Sequence, residues 1–137
     1  MKLAGKIFKD GKFWLIEVPI LDVMTQGHTR KEAFEMIADA IVTLVDKEGF
    51  KINVYQGKSD NFIIDSNNEA TLTAFLLKQH RQKHGVTLQE AAKRLGVNSV
   101  NAYARYEKGT SVPTISKFAD LWRAISPDTD FILCESL

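Results

Sequence analysis

An α+β domain followed by an all-α helix-turn-helix domain is the architecture that this 137-residue sequence predicts. Three observations predict it. Two apolar-rich runs, Lys2 to Lys9 and Lys12 to Val18, are parted by Asp10-Gly11, a signal for a hairpin with a type I′ turn. A long apolar stripe then runs from Ala33 to Val45 at the spacing of a helix laid on a sheet. Further on, Thr87 to Gly109 reads as two short helices joined by a tight turn.

The first domain is expected over residues 1–66. Phe13, Trp14, Leu15 and Ile16 give the second run strong strand propensity, and Pro19 limits it. A shorter third strand is expected around Asp22 to Thr25, ending at Gln26-Gly27. A hairpin alone is marginal in water, so its apolar face needs a cover. The cover is a helix beginning near Thr29, with Glu32 three residues on to complete a capping box. Ala33, Phe34, Ile37, Ala38, Ile41, Leu44 and Val45 form its apolar side, and Gly49 is the expected C-cap. Lys51 to Tyr55 and Asn61 to Asp65 complete the sheet, and Ser66-Asn67-Asn68 is the linker.

Residues 67–137 form the second domain. Thr87 and Glu90 make another capping box, Gly96 ends the first helix, and Ala92 falls where two helices approach closely. Val100, Tyr103 and Tyr106 recur on one face of the second helix, and Asn101, Ala104, Arg105 and Lys108 on another. One face can pack and the other can read DNA. The residues expected to contact DNA are Gln89, Asn98, Ser99, Asn101, Ala104, Arg105 and Lys108, with the polar ones offering hydrogen bonds to base edges. Beyond Pro113-Thr114 a further helix carries Ile115, Phe118, Ala119, Leu121, Trp122 and Ile125 on its apolar face, with Trp122 in the core. Asp130 to Glu135 is expected as a terminal strand that pairs with a twofold mate or folds back on the first sheet.

Charge is uneven. Residues 1–68 carry nine Lys or Arg against ten Asp or Glu, whereas residues 69–137 carry nine against seven. From Lys78 to Lys108, seven basic residues face only Glu90 and Glu107, a net of +5, with His80 and His84 read as an added phosphate-facing stripe. An apolar fraction of 45% and a charged fraction of 26% are those of a globular domain. No stretch is apolar for the ~18 residues a membrane helix needs, and MKLAGKIFKDGK is not expected to act as a secretory signal. Cys134 is the single cysteine, which suits a reducing cytoplasm.

Catalysis is not expected. A nuclease of the RNase H type would need several carboxylates converging on divalent metal. Asp10, Asp22 and Asp65 read instead as turn-formers and solvated charges. His80 and His84 lack a third ligand nearby, Cys134 lacks an activating His, and no metal or cofactor is implied.

Leu95-Gly96-Val97, Arg105 to Gly109 (RYEKG) and Val112-Pro113 resemble the Cro/repressor class of helix-turn-helix, whose second helix lies in the major groove. Two features depart from it. Leu88 stands where that class commonly has Gln, with Gln89 one place later, and there is one residue more than usual between Gly96 and Glu107. Aligning from Glu107 backwards puts Tyr103 in the buried slot and the extra residue in the turn. NAYARYE, with that longer turn, is similar to the DNA-binding half of one group of HicB antitoxins. The paired opening strands, Glu17 to Pro19 and TQGHTRKEAFEMIADAI from Thr25 to Ile41 resemble the HicB amino-terminal domain. His28 replaces its usual Asp, and Leu21 to Met24 replace its Pro-Gly-Cys.

The resemblance implies a partial RNase H-like amino-terminal domain that binds and blocks a small RNA-cleaving HicA-type toxin. It also implies a carboxy-terminal domain that binds the operator of the pair's own operon as a homodimer or higher oligomer. The alternative is a stand-alone helix-turn-helix repressor whose amino-terminal domain senses a ligand or dimerises.

Overall fold

The computed structural model describes residues 1–135 and divides into two compact units, one ending at Glu69 and the other starting at Ala70. The first unit contains β1 (Leu3–Asp10), β2 (Phe13–Val18), a single 3-10 turn (Pro19–Leu21), β3 (Val23–Gly27), α1 (Arg30–Val45), β4 (Ile52–Gln56) and β5 (Asn61–Ser66). The second contains α2 (Glu69–Lys83), α3 (Leu88–Leu95), α4 (Val100–Lys108) and α5 (Ile115–Ile125). The chain is thus α+β, with a five-stranded antiparallel sheet followed by a helical unit. None of the helices is long and apolar enough to cross a membrane.

The sheet runs in the order β3-β2-β1-β5-β4. Its register follows from alternation: Leu3, Ile7, Ile16, Val18, Phe62 and Ile64 point to one face and are buried there. Helix α1 covers that face with Ala33, Phe34, Ile37 and Ile41, and Phe34 meets Phe62 edge to face at 5.5 Å. Thr29 caps α1 as expected, accepting the Glu32 N–H at 3.0 Å.

Three boundaries differ from the sequence reading. The β1–β2 loop is Gly11-Lys12, because Asp10 still pairs with Phe13. Positive φ falls on Gly11 alone of those two, 59°, the requirement of a type II′ turn rather than type I′. Helix α1 ends at Asp46, in the left-handed region with φ 50°, and not at Gly49. Asp tolerates that conformation because its short polar side chain bonds locally. Asp130 to Glu135, finally, is not a strand. A strand needs an edge to pair with, and the helical unit has none. Phe131 packs instead on Phe118 and Trp122, at centroid distances of 5.1 and 6.1 Å.

Candidate nucleic-acid interface

The sequence folds α3 and α4 by local rules. Thr87 and Glu90 form the reciprocal capping box, with the Thr87 hydroxyl accepting the Glu90 N–H at 3.1 Å and the Glu90 carboxylate accepting the Thr87 N–H at 3.4 Å. Gly96 closes α3 with φ 73°, a conformation that costs glycine little. Residues 96–99 make the turn, and Ser99 caps α4 by accepting the Ala102 N–H at 3.3 Å.

Packing then fixes which face of α4 is free. Tyr103 is wholly buried among Leu77, Val86, Ala91, Ala92, Leu121 and Ile125, in the slot that alignment from Glu107 gives it. Glu107, one turn on, is 7% exposed and takes both arms of the Arg81 guanidinium of α2, at 2.8 and 2.9 Å. Arg81 also donates to the Val86 carbonyl at 2.9 Å. This bidentate pair joins α2, the loop before α3, and α4, so it orients the helix as well as neutralising a buried charge. The Tyr103 hydroxyl lies within reach of both charges, yet no hydrogen bond of normal geometry joins it to either. Burial, reinforced by Glu107, pushes its ionisation far above the usual phenol range.

With that side occupied, Asn101, Arg105 and Lys108 are exposed at i, i+4, i+7 spacing along the opposite stripe. Neither Arg105 nor Lys108 forms an ion pair among the described residues. Gln89 and Asn98 are exposed too, at the start of α3 and in the turn. Ser99 accepts the capping bond with one lone pair, which leaves its hydroxyl proton to donate. Ala104 departs from the expected set. It is 7% exposed and belongs to the packed side, because its position one residue after Tyr103 turns it toward the core. Ala102, half-buried, is nearer the free face.

Two expected phosphate contacts have other employment. Arg81 is the clamp just described, and Arg94 donates to the Ala124 and Ile125 carbonyls at 3.2 and 3.1 Å, capping the end of α5. The pairing of Arg81 with Glu107 removes one charge of each sign, so the excess of +5 between Lys78 and Lys108 survives. Lys78, Lys83, Lys93, Arg94, Arg105 and Lys108 remain exposed to carry it, against Glu90 alone.

His80 is a further correction. It is 4% exposed and stacks on Trp122 with centroids 3.5 Å apart and planes 10° from parallel. Its Nε2 lies 3.3 Å from the Trp122 carbonyl oxygen. Burial chiefly, with smaller pushes from His84 and Lys83, lowers its pKa to about 4, so it is neutral and offers no charge to a phosphate. Its position among Leu72, Ala74, Phe75, Leu76 and Leu77 on a helix buried nearly all round was the available signal. His84 is exposed.

Carboxylates in the first unit are dispersed. Asp10 and Asp65 stand toward opposite ends of β1, roughly 26 Å apart at ~3.3 Å per residue. Asp22 takes a left-handed conformation at the end of the 3-10 turn. Asp65 accepts from the Asn53 amide at 2.9 Å. Among the described residues no three His, Cys, Asp or Glu gather as a metal site.

No curated protein matches the chain. A helix-turn-helix family model, of the Cro/C1 type, matches residues 77–125, the span from the end of α2 through α5, and this stretch is a DNA-binding helix-turn-helix domain.

Proposed function

We propose that the chain is an antitoxin of the HicB type, which represses its own operon through the helix-turn-helix and neutralises a HicA-type RNA-cleaving toxin through the sheet unit. The observation that carries the DNA half is the stripe of Asn101, Arg105 and Lys108 on a helix locked from behind by Arg81–Glu107. Arg105 and Asn101 have the hydrogen-bonding shapes that fit guanine and adenine edges in the major groove. Lys93 and Lys108 set register on the phosphates. A twofold dimer places two such helices about 34 Å apart on an inverted repeat.

The toxin half rests on the resemblance of Thr25 to Ile41 and its flanking strands to the HicB family, and a protein-binding role is supported by the uncovered face of the sheet. Phe8, Met24 and Tyr55 on that face stay 39, 56 and 44% exposed, amid the mixed charges of Lys6, Glu17 and Asp65. Exposed apolar side chains interspersed with charges of both signs suit a protein better than nucleic acid. The cytoplasm is the compartment this role requires.

A pull-down of the tagged chain from native cells, with mass spectrometry, tests the pairing. Recovery of a small stoichiometric partner whose RNA cleavage stops on adding the chain is the expected result. Recovery of the chain with DNA alone establishes the stand-alone repressor. Operator binding is tested separately: Arg105→Ala should weaken it by about 1 to 3 kcal/mol and relax base preference at one position. An equal loss on random DNA makes Arg105 a phosphate contact.

A further inference from the structure

The carboxy-terminal end of α5 is gripped from two other helices. The last carbonyls of a helix lack partners within it. In α5 those of Ala124 and Ile125 both accept from Arg94 Nη1 of α3, at 3.2 and 3.1 Å. One turn back, the Trp122 oxygen lies 3.3 Å from His80 Nε2 of α2. The guanidinium also meets the negative pole of α5, where a cation is favoured. Two helices distant in the chain thus converge on one helix end.

The side of α3 from which Arg94 reaches is set by helical geometry. At 3.6 residues per turn each side chain is rotated by about 100° from the last, which puts Lys93 about 40° from Gln89 but Arg94 about 140° from it. Gln89 and Lys93 therefore share the stripe offered to DNA. Arg94 stands about 60° from Ala91, which is wholly buried, so it lies nearer the packed side than the stripe. The Arg81–Glu107 clamp ties α4 to α2 and reaches only the loop before α3. The opposite end of α3, where the turn into α4 begins, is tied by Arg94 to α5.

We propose that Arg94 is a positioning residue for DNA recognition. By joining the last turn of α3 to the end of α5 it sets where Gln89 and Asn98 meet the duplex, and it makes no phosphate contact of its own. Two arginines then divide one task. Arg81 orients the helix that enters the major groove, and Arg94 holds the helix that crosses the backbone. The inference rests on the helix-turn-helix assignment and is independent of any toxin.

The probes are a short duplex selected by the unsubstituted full chain from a random-sequence pool, and an unselected duplex of equal length. The selection itself tests DNA binding before any variant is made. Arg94→Met keeps the apolar stem while removing the donors and the charge. Measured where circular dichroism shows the variant folded, its affinity for the selected duplex should fall about tenfold, the worth of one good base contact. Affinity for the unselected duplex should change far less, and the slope of log affinity against log salt should match that of the unsubstituted chain. A loss equal on both duplexes, or a slope shallower by about 0.9, makes Arg94 a phosphate ligand and overturns the proposal. Unchanged affinity for both overturns it too, leaving Arg94 to packing alone. Should Arg94→Met fail to fold, NMR of the unsubstituted chain decides. A guanidinium already held by two carbonyls should rotate slowly and show resolved Nη signals before DNA is added. Nη signals averaged in the free chain and resolved only on the duplex overturn the proposal.

Discussion

The two units close their cores by different means. In the sheet unit the buried side chains are hydrocarbon: Ile7, Ile16, Phe34, Ile37, Ile41, Phe62 and Ile64 meet across one sheet face and one helix. The helical unit buries Leu72, Leu77, Leu121 and Ile125, but also Thr71, His80 and Ser126, together with the Arg81–Glu107 pair. Among the described residues, the buried polar side chains all lie in the second unit. A sheet sets its own register through the backbone ladder, so hydrophobic alternation suffices. Four helices share no such ladder, and the Arg81–Glu107 pair fixes how α4 stands against α2. The unit that must present a helix at a defined angle is the one that spends polar groups inside.

The largest expected effect tests this contrast directly. Arg81→Ala strands the Glu107 carboxylate in a site where it is 7% exposed, and should destabilise the helical unit by about 3 to 5 kcal/mol. The sequence carries one tryptophan in each unit, Trp14 and Trp122. Fluorescence melting in a Trp14→Phe background therefore reads the helical unit alone. If the pair orients α4, replacing both partners by Met and Leu should restore stability more fully than it restores operator affinity. Equal recovery of both would reduce the pair to packing.

In the sheet unit the corresponding lesion is a cavity. Ile37→Ala removes a wholly buried side chain from α1 and should cost about 3 kcal/mol. Trp14 fluorescence should report that loss, with operator affinity retained. A parallel fall in DNA affinity would show that the sheet unit supports binding, and sedimentation of the same variant would show whether it does so through self-association.

A smaller effect comes from His80. Its pKa of about 4 lies below the ordinary value of 6.5, so between these values the unfolded chain binds a proton that the folded chain refuses. Stability of the helical unit should accordingly rise with pH through that window, by roughly 3 kcal/mol, and be level above it. His80→Phe, which keeps a flat ring against Trp122, should flatten the slope. A slope unchanged in His80→Phe would assign it to other groups.

How far the sequence reached follows the same division. Strand alternation, the Thr29 and Thr87 caps, the buried Tyr103 and Trp122, and the exposed Asn101 and Arg105 were legible because period and capping are local properties. Helix α2 was not placed. Its buried positions, Thr71, Leu72, Ala74, Phe75, Leu76, Leu77 and His80, run nearly all round the helix and leave no clean stripe. Arg81 and Arg94 read as phosphate ligands because a count of charges does not show which cations have carboxylate or carbonyl partners far along the chain. The segment Asp130 to Glu135 has strand propensity without a strand to pair with, and propensity yielded to packing of Phe131.

The smallest expected effect concerns Ser99, which the sequence offered as a base contact and the structure employs as a cap. Ser99→Ala should destabilise the helical unit by about 1 kcal/mol, and Ser99→Gly by only a few tenths, since glycine is a tolerable N-cap. The two variants also separate structure from recognition. If the hydroxyl only caps, Ser99→Gly should bind operator nearly as well as the unsubstituted chain, with any loss in Ser99→Ala removed at lower temperature. If the hydroxyl proton also reaches DNA, both variants lose affinity alike, irrespective of their stabilities. A loss confined to one operator sequence then marks a base contact, and a loss shared with random DNA marks a phosphate.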